Sequence, residues 1–240
     1  MKLNDFPVWN DLARSPAFGI TVTVSSYLAG RAIQKASGGS SLANPVLIAI
    51  LLVAGSLNIT GTSYQIYYES TQLLIFLLGP ATVAFAIPLI KNIEHVRGRL
   101  WTILLALTAG SSLSAVVGVG LVLMCGGSRA VAFSMAPKAV TTPIAINIAQ
   151  ATGGIPSLSA ALAITGGILV AISINWIFNL AGIRDARTYG FSAGTAGSGI
   201  GAAHALSFCE LAGAFGALAV GINGLVTPLI VLALARIWPV

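Results

Sequence analysis

The chain has 240 residues, with twelve Lys and Arg and six Asp and Glu, so charged side chains make up 8%, where a soluble domain carries roughly 25%. Hydrophobic residues reach 56% and the mean hydropathy is +0.93, which leaves too little polar surface to clothe a water-soluble body of this size. These figures argue against a soluble enzyme, a nucleic-acid-binding domain, a disordered chain and a secreted disulfide scaffold, and they leave a polytopic membrane protein.

A spanning helix uses ~20 residues, so the chain holds at most about eight or nine such segments and no separate soluble domain. The net charge of +6 reads as basic residues gathered at one membrane face rather than as a nucleic-acid surface. Cys125 and Cys209 are the two cysteines. They lie in apolar surroundings without zinc spacing, as buried thiols do.

In chain order, residues 1–15 lack the charged, apolar and cleavage regions of a signal peptide. With Asp5, Phe6, Trp9, Asp11 and Arg14 they read as an interfacial N-terminal tail. Hydrophobic segments follow at 16–35, 42–57, 70–90, 100–124, 129–152, 156–178, 189–209 and 211–235, separated by short charged or turn-rich stretches. The expected fold is all-α: one transmembrane domain over 1–240, with about eight hydrophobic segments and two or three of them broken by Pro or Gly. Ala86-Ile87-Pro88 before the fourth segment is echoed by Thr142-Pro143-Ile144 before the sixth. The echo fits an internal repeat, and it also fits coincidence of composition.

Lys and Arg set the orientation. Arg31 and Lys35, then Lys91, Arg97 and Arg99, then Arg184 and Arg187 place 31–41, 91–99 and 181–188 in the cytoplasm. The Lys- and Arg-free stretch 58–69 falls outside. If 100–124 then exits outward and 181–188 is inside, 129–152 must start and end outside. It is predicted to be a re-entrant or broken element, and Pro137 and Pro143 interrupt it. The segment 189–209, with Gly190, Gly194, Gly197, Gly199 and Gly201, is equally unsuited to one continuous helix. Pro80 and Pro88 break 70–90. Non-helical backbone at membrane depth needs protein or a water-filled cavity around it, and Gly/Pro-interrupted segments point to a transporter binding site.

Charges at membrane depth are functional candidates. Lys138 lies between Pro137 and Pro143, with Thr141 and Thr142 just after it. If a half-helix starts there, its free N–H groups and positive dipole end join the lysine in a site suited to a small carboxylate. The competing reading is a lysine snorkelling to the interface, with threonines bonding their own helix. Asn147 lies about a turn further on, and Thr82 and Ser198 are candidates for the opposite wall. His204 reads either as a proton carrier or as a packed ring, and Glu210 either as a proton carrier or as an interfacial cap. Glu69 and Arg129 read as interfacial head groups. The glycine run lacks Gly-x-Gly-x-x-Gly after a strand, so no dinucleotide site is expected. No metal, cofactor or enzyme constellation is expected either.

At Leu78-Gly79-Pro80-Ala81-Thr82-Val83-Ala84, Ala136-Pro137-Lys138, Val140-Thr141-Thr142-Pro143, Gly153-Gly154-Ile155-Pro156 and Gly213-Ala214-Phe215 the chain resembles the LrgB/CidB family of bacterial inner-membrane proteins. The resemblance runs from about Asn44 to Pro228. It departs from the family at Ala139, Ser198, Ala202, His204, Gly216 and Ala217. It implies a multi-pass protein of the bacterial inner membrane, with two functional expectations. One is a secondary carrier of small monocarboxylates resembling glycolate, glycerate or pyruvate; a proton is the expected coupling ion because the sequence offers no acidic cluster for sodium. The other is a non-transporting, antiholin-like regulator of murein hydrolase export and lysis. The expected partners are a small organic anion, the lipid bilayer, a holin-like LrgA/CidA-type membrane protein and further copies of the chain, with no nucleic acid.

Overall fold

The computed structural model describes residues 7–38, 43–84, 86–91, 94 and 100–237, and their regular structure is all helical. The chain divides into two compact units, 1–84 and 85–240.

In the first unit α1 (Pro7–Arg14) stops at Ser15, whose side chain accepts from the Phe18 amide and caps α2 (Pro16–Ala36). Pro16 stands in the first turn, where a missing N–H costs nothing. Asn44 caps α3 (Pro45–Thr60), its Oδ1 accepting from the amides of Val46 and Leu47 at 2.9 and 3.2 Å. α3 ends on Gly61 at φ 72°, the left-handed conformation that glycine adopts without strain. The chain then bends by 119° into α4 (Tyr64–Ser70), and α5 (Gln72–Ala84) follows with Pro80 inside it. The Trp9 indole donates to Thr62 at 3.2 Å, so the N-terminal lead-in includes a helix tied to the end of α3. The hydroxyls of Thr23 and Tyr67 lie 2.7 Å apart and join α2 to α4.

The second unit holds α6 (Ala86–Lys91), α7 (Leu100–Met124), α8 (Arg129–Met135), α9 (Thr142–Thr152), α10 (Pro156–Leu180), α11 (Ala186–Phe208) and α12 (Glu210–Ile237). α7, α10 and α12 run 25, 25 and 28 residues. At 1.5 Å per residue each is longer than the ~30 Å hydrocarbon layer. Among the described residues these three are long and apolar enough to cross a membrane, with the bent α3–α4 pair a fourth if counted as one span. Among the described residues helix makes up most of each hydrophobic stretch read from the sequence, yet most of the stretches miss this test. α3 has 16 residues, and α2 is diluted by Thr, Ser, Arg31 and Lys35. Of the loop 91–99, Arg97 and Arg99 lie outside the described residues.

The long helices frame two shorter hairpins. Ile103 packs with Phe215 and Ser111 bonds Asn223, so α7 and α12 run parallel. α10 runs the other way, with Gly166 against the Lys138 carbonyl and Ser159 bonded to the Ala145 carbonyl. α8 enters beside the end of α7, where Met135 faces Gly118. Proline at 137 cannot donate to the helical ladder, and the chain turns through 136–141. α9 then carries it back until Gly154 lies against Phe133 and Ser134. The Ile155 amide donates to Ser134 Oγ at 2.6 Å and closes this hairpin. The segment 129–152 is therefore broken and folds back on itself.

α11 folds back as well. Ser198, at φ 52° and ψ −141°, reverses it midway. A Cβ at Gly190 would fall on the Ala212 carbonyl and one at Gly194 on that of Gly216, so the entering half runs parallel to α12. Gly216 then meets Ala202, and Gly213 meets Leu206, so the returning half is antiparallel. Gly201 lies back against Ala193 of the entering half. This hairpin opens at the end of the unit where α12 starts, and the α8–α9 hairpin opens at the end where Arg129 reaches the Ala235 carbonyl at 3.4 Å. The two enter from opposite ends.

Candidate functional site

The tips of the hairpins meet between the long helices. Ala136, Pro137, Ala139 and Val140 are buried, so the non-helical 136–141 backbone is walled by protein. The Lys138 ammonium donates to Ser114 Oγ at 2.8 Å and to the Ser114 carbonyl at 3.0 Å. An ammonium has three N–H donors, and Ser114 takes two of them. A Cβ at Gly118, one turn further along α7, would stand 3.4 Å from Nζ, so the glycine provides room for the head group. Thr141 is the N-cap of α9, and its side chain makes no capping bond. The first turn of α9 therefore keeps its positive end, with Thr141 and Thr142 half-buried beside it.

At the other tip the Ser198 hydroxyl is buried without a partner among the described residues. Built Cβ atoms at Gly166 and Gly167 would lie 3.6 Å from the Lys138 carbonyl and 3.0 Å from the Gly197 carbonyl. The two tips thus bear on one turn of α10. Gly197 packs on Val170 and Gly201 on Ala193, while Gly199 faces open space.

The structure adds residues that sequence reasoning missed. Asn223 of α12 is 1% exposed. Its Nδ2 donates to the Ala139 carbonyl at 2.9 Å and to the Thr195 carbonyl at 3.0 Å. Its Oδ1 accepts from Ser111 and Thr227, each at 2.6 Å. Ser111 and Ser114 share a face of α7, one turn apart. That i, i+3 pair, and the i, i+4 pair Asn223 and Thr227, were the available signals.

Other expected site residues fall elsewhere. Asn147 is exposed on α9. His204 sits on the returning half of α11 beside Tyr189, with ring centroids 6.5 Å apart, and Tyr189 donates to Asn175 at 2.6 Å. Glu210 starts α12 and pairs with Lys91 at 3.0 Å, with both side chains well exposed. Thr82 belongs to the first unit and Pro88 to α6, and the side chains of both lie outside the described residues. Arg129 stacks over Phe133 at 5.0 Å. Among the described residues no three His, Cys, Asp or Glu side chains gather as a metal site.

At the open end of the second hairpin Asp185 caps α11. Loss of solvent would raise its pKa, but bonds from the Arg187 and Thr188 side chains, the Arg187 amide and the Arg187 charge outweigh this and hold the carboxyl below its usual range.

Comparison with known proteins adds the family. The family model described as the LrgB-like family matches residues 23–237. The chain is 32% identical to the antiholin-like protein LrgB of Bacillus mycoides (strain KBAB4) over 217 residues, covering 90% of this chain and 94% of that protein. It is 31% identical to the proteins of the same name from Bacillus cereus (strain B4264) and Bacillus anthracis (strain CDC 684 / NRRL 3495), with the same coverage. No solved structure matches the chain. Several long apolar helices and a match spanning nearly the whole sequence lead to one conclusion: this chain is a membrane protein and belongs to the LrgB-like family.

Proposed function

We propose that this protein is an antiholin-like protein of the bacterial inner membrane, acting with a small holin-like LrgA/CidA-type partner to modulate murein hydrolase export and lysis. The observation that carries this reading is the alignment with antiholin-like relatives over 90% of the chain, which takes in the two compact units. Small-residue helix faces let a partner helix approach closely, and Gly55, Gly120 and Gly221 have open space around their built Cβ positions.

A second reading is a proton-coupled carrier of small 2-hydroxy- or 2-keto-monocarboxylates. One observation favours it: the Lys138 and Gly197 carbonyls, at the tips of opposed hairpins, lie against one turn of α10, and these tips also carry an intramembrane ammonium, the uncapped start of α9 and a buried Ser198 hydroxyl. A role in partner binding leaves that polar centre unexplained. Lys138 would hold the carboxylate, with Thr141 and Thr142 orienting it. Alternating access would come from movement around the broken elements.

Two assays on one preparation separate the readings. The antiholin-like reading expects stoichiometric co-purification with a co-expressed holin-like protein and altered autolysis in cells. The carrier reading expects proteoliposomes of the protein to take up labelled pyruvate or glycolate, and uptake to disappear in Lys138→Ala. Failure of co-purification together with unchanged autolysis contradicts the first reading. Absence of uptake, or uptake unchanged in Lys138→Ala, contradicts the second.

A further inference from the structure

We infer that Asn223 is the positioning residue that joins the tips of the two opposed hairpins and so fixes where Lys138 stands relative to the reversal at Ser198. A carboxamide has two donors and two acceptor sites, and all four are used here. Both donors go to backbone carbonyls on different hairpins, Ala139 at 2.9 Å and Thr195 at 3.0 Å. Those carbonyls need an outside partner. Ala139 lies in the non-helical stretch between α8 and α9. Thr195 is in the last turn before α11 reverses, where carbonyls lose their helical amides. Left unpaired in a buried site, each would be costly.

The amide orientation is fixed by its surroundings. Carbonyls only accept, so the nitrogen must face Ala139 and Thr195. The oxygen then receives the hydroxyls of Ser111 and Thr227. Ser111 is one turn from Ser114, which holds Lys138, so α7 supports the clamp and the ammonium from one face. No other described side chain donates to the backbone of the two tips together. The inference does not depend on which functional reading holds, because a regulator and a carrier would each need the tips in register.

Hydrogen–deuterium exchange on the whole protein in lipid nanodiscs reads the clamp directly. Asn223→Ala should speed exchange roughly tenfold or more at 136–142 and at 196–201 together, while the middle of α10 stays within about twofold of wild type. Asn223→Asp is isosteric and keeps oxygens for Ser111 and Thr227 but loses both donors. It should loosen the same two stretches, and it carries the test if the alanine variant does not fold. Thr227→Val leaves the donors in place and should change the tips by less than about threefold. Exchange that rises at one tip alone, or evenly across the second unit, overturns the inference. So does a Thr227→Val effect equal to that of Asn223→Ala.

Discussion

If the Lys138 ammonium is held at membrane depth by Ser114, the two residues must be energetically coupled. Nζ lies 2.8 Å from Ser114 Oγ and 3.0 Å from the Ser114 carbonyl. Ser114→Ala removes the hydroxyl and leaves the carbonyl. A hydrogen bond to a charged group contributes about 1.5–3 kcal/mol, so this variant should lose that much stability. Lys138→Met removes the charge while keeping the length of the side chain. An intramembrane lysine costs about 2.5–3.5 kcal/mol on insertion scales, which roughly offsets the lost bonds, so this variant should be near neutral or slightly stabilised. With methionine in place, Ser114→Ala should cost no more than about 0.5 kcal/mol, since the serine can bond its own helix. The double-mutant cycle in nanodiscs should therefore show about 1–3 kcal/mol of coupling. Additivity within about 0.5 kcal/mol would place the ammonium elsewhere, as a lysine snorkelling to the interface would be, and would refute the reasoning.

Three further outcomes follow from the geometry. Gly194→Ala puts a Cβ on the Gly216 carbonyl, so thermal unfolding should show a loss of about 1–3 kcal/mol, whereas Gly199→Ala, facing open space, should be neutral or stabilising by up to about 1 kcal/mol. Ser198→Gly relieves a positive φ of 52° and an unpartnered hydroxyl, so it should raise the melting temperature by the equivalent of about 1–3 kcal/mol, and a lowered one would contradict the strain. Asp185 has a depressed pKa, so its stabilising contribution is present above the usual carboxylate pKa and fades as pH falls through the lowered value. Acid unfolding of Asp185→Asn should lack that small component, and an identical profile would show that the cap contributes nothing.

The breaks at the two tips were legible in the sequence because proline and closely spaced glycine have strong local effects, whereas Pro80 lies inside α5 without ending it. Pro137 and Pro143 bracket the first tip, and the glycine run contains the second. Charge placement called for a re-entrant or broken element at 129–152, and the chain does fold back there. Lys138 stood out because a charge between prolines at depth is costly. Its holder did not: Ser114 is a neutral residue in an apolar helix, and its partner lies 24 positions away. Asn223 was hidden for the same reason, with partners 28, 84 and 112 residues off along the chain. The pairing of Glu210 with Lys91 crosses 119 residues and leaves no local mark. Asn147 shows the limit of spacing arguments, because it is on the expected helix but exposed.

Two hairpins enter the second unit from opposite ends. The native cysteines offer the most direct measurement: against the expectation of buried thiols Cys125 is exposed and Cys209 half-buried, and they stand after α7 at one end and before α12 at the other. Membrane-impermeant maleimide, applied to right-side-out and inverted vesicles, would be used on Cys209→Ser, on Cys125→Ser, and on cysteine-free chains carrying Ile155→Cys or Ile183→Cys. The account predicts that Cys125 and position 155 label from one face, and Cys209 and position 183 from the other. Labelling of Cys125 and position 155 from opposite faces would make 129–152 a simple span and contradict it.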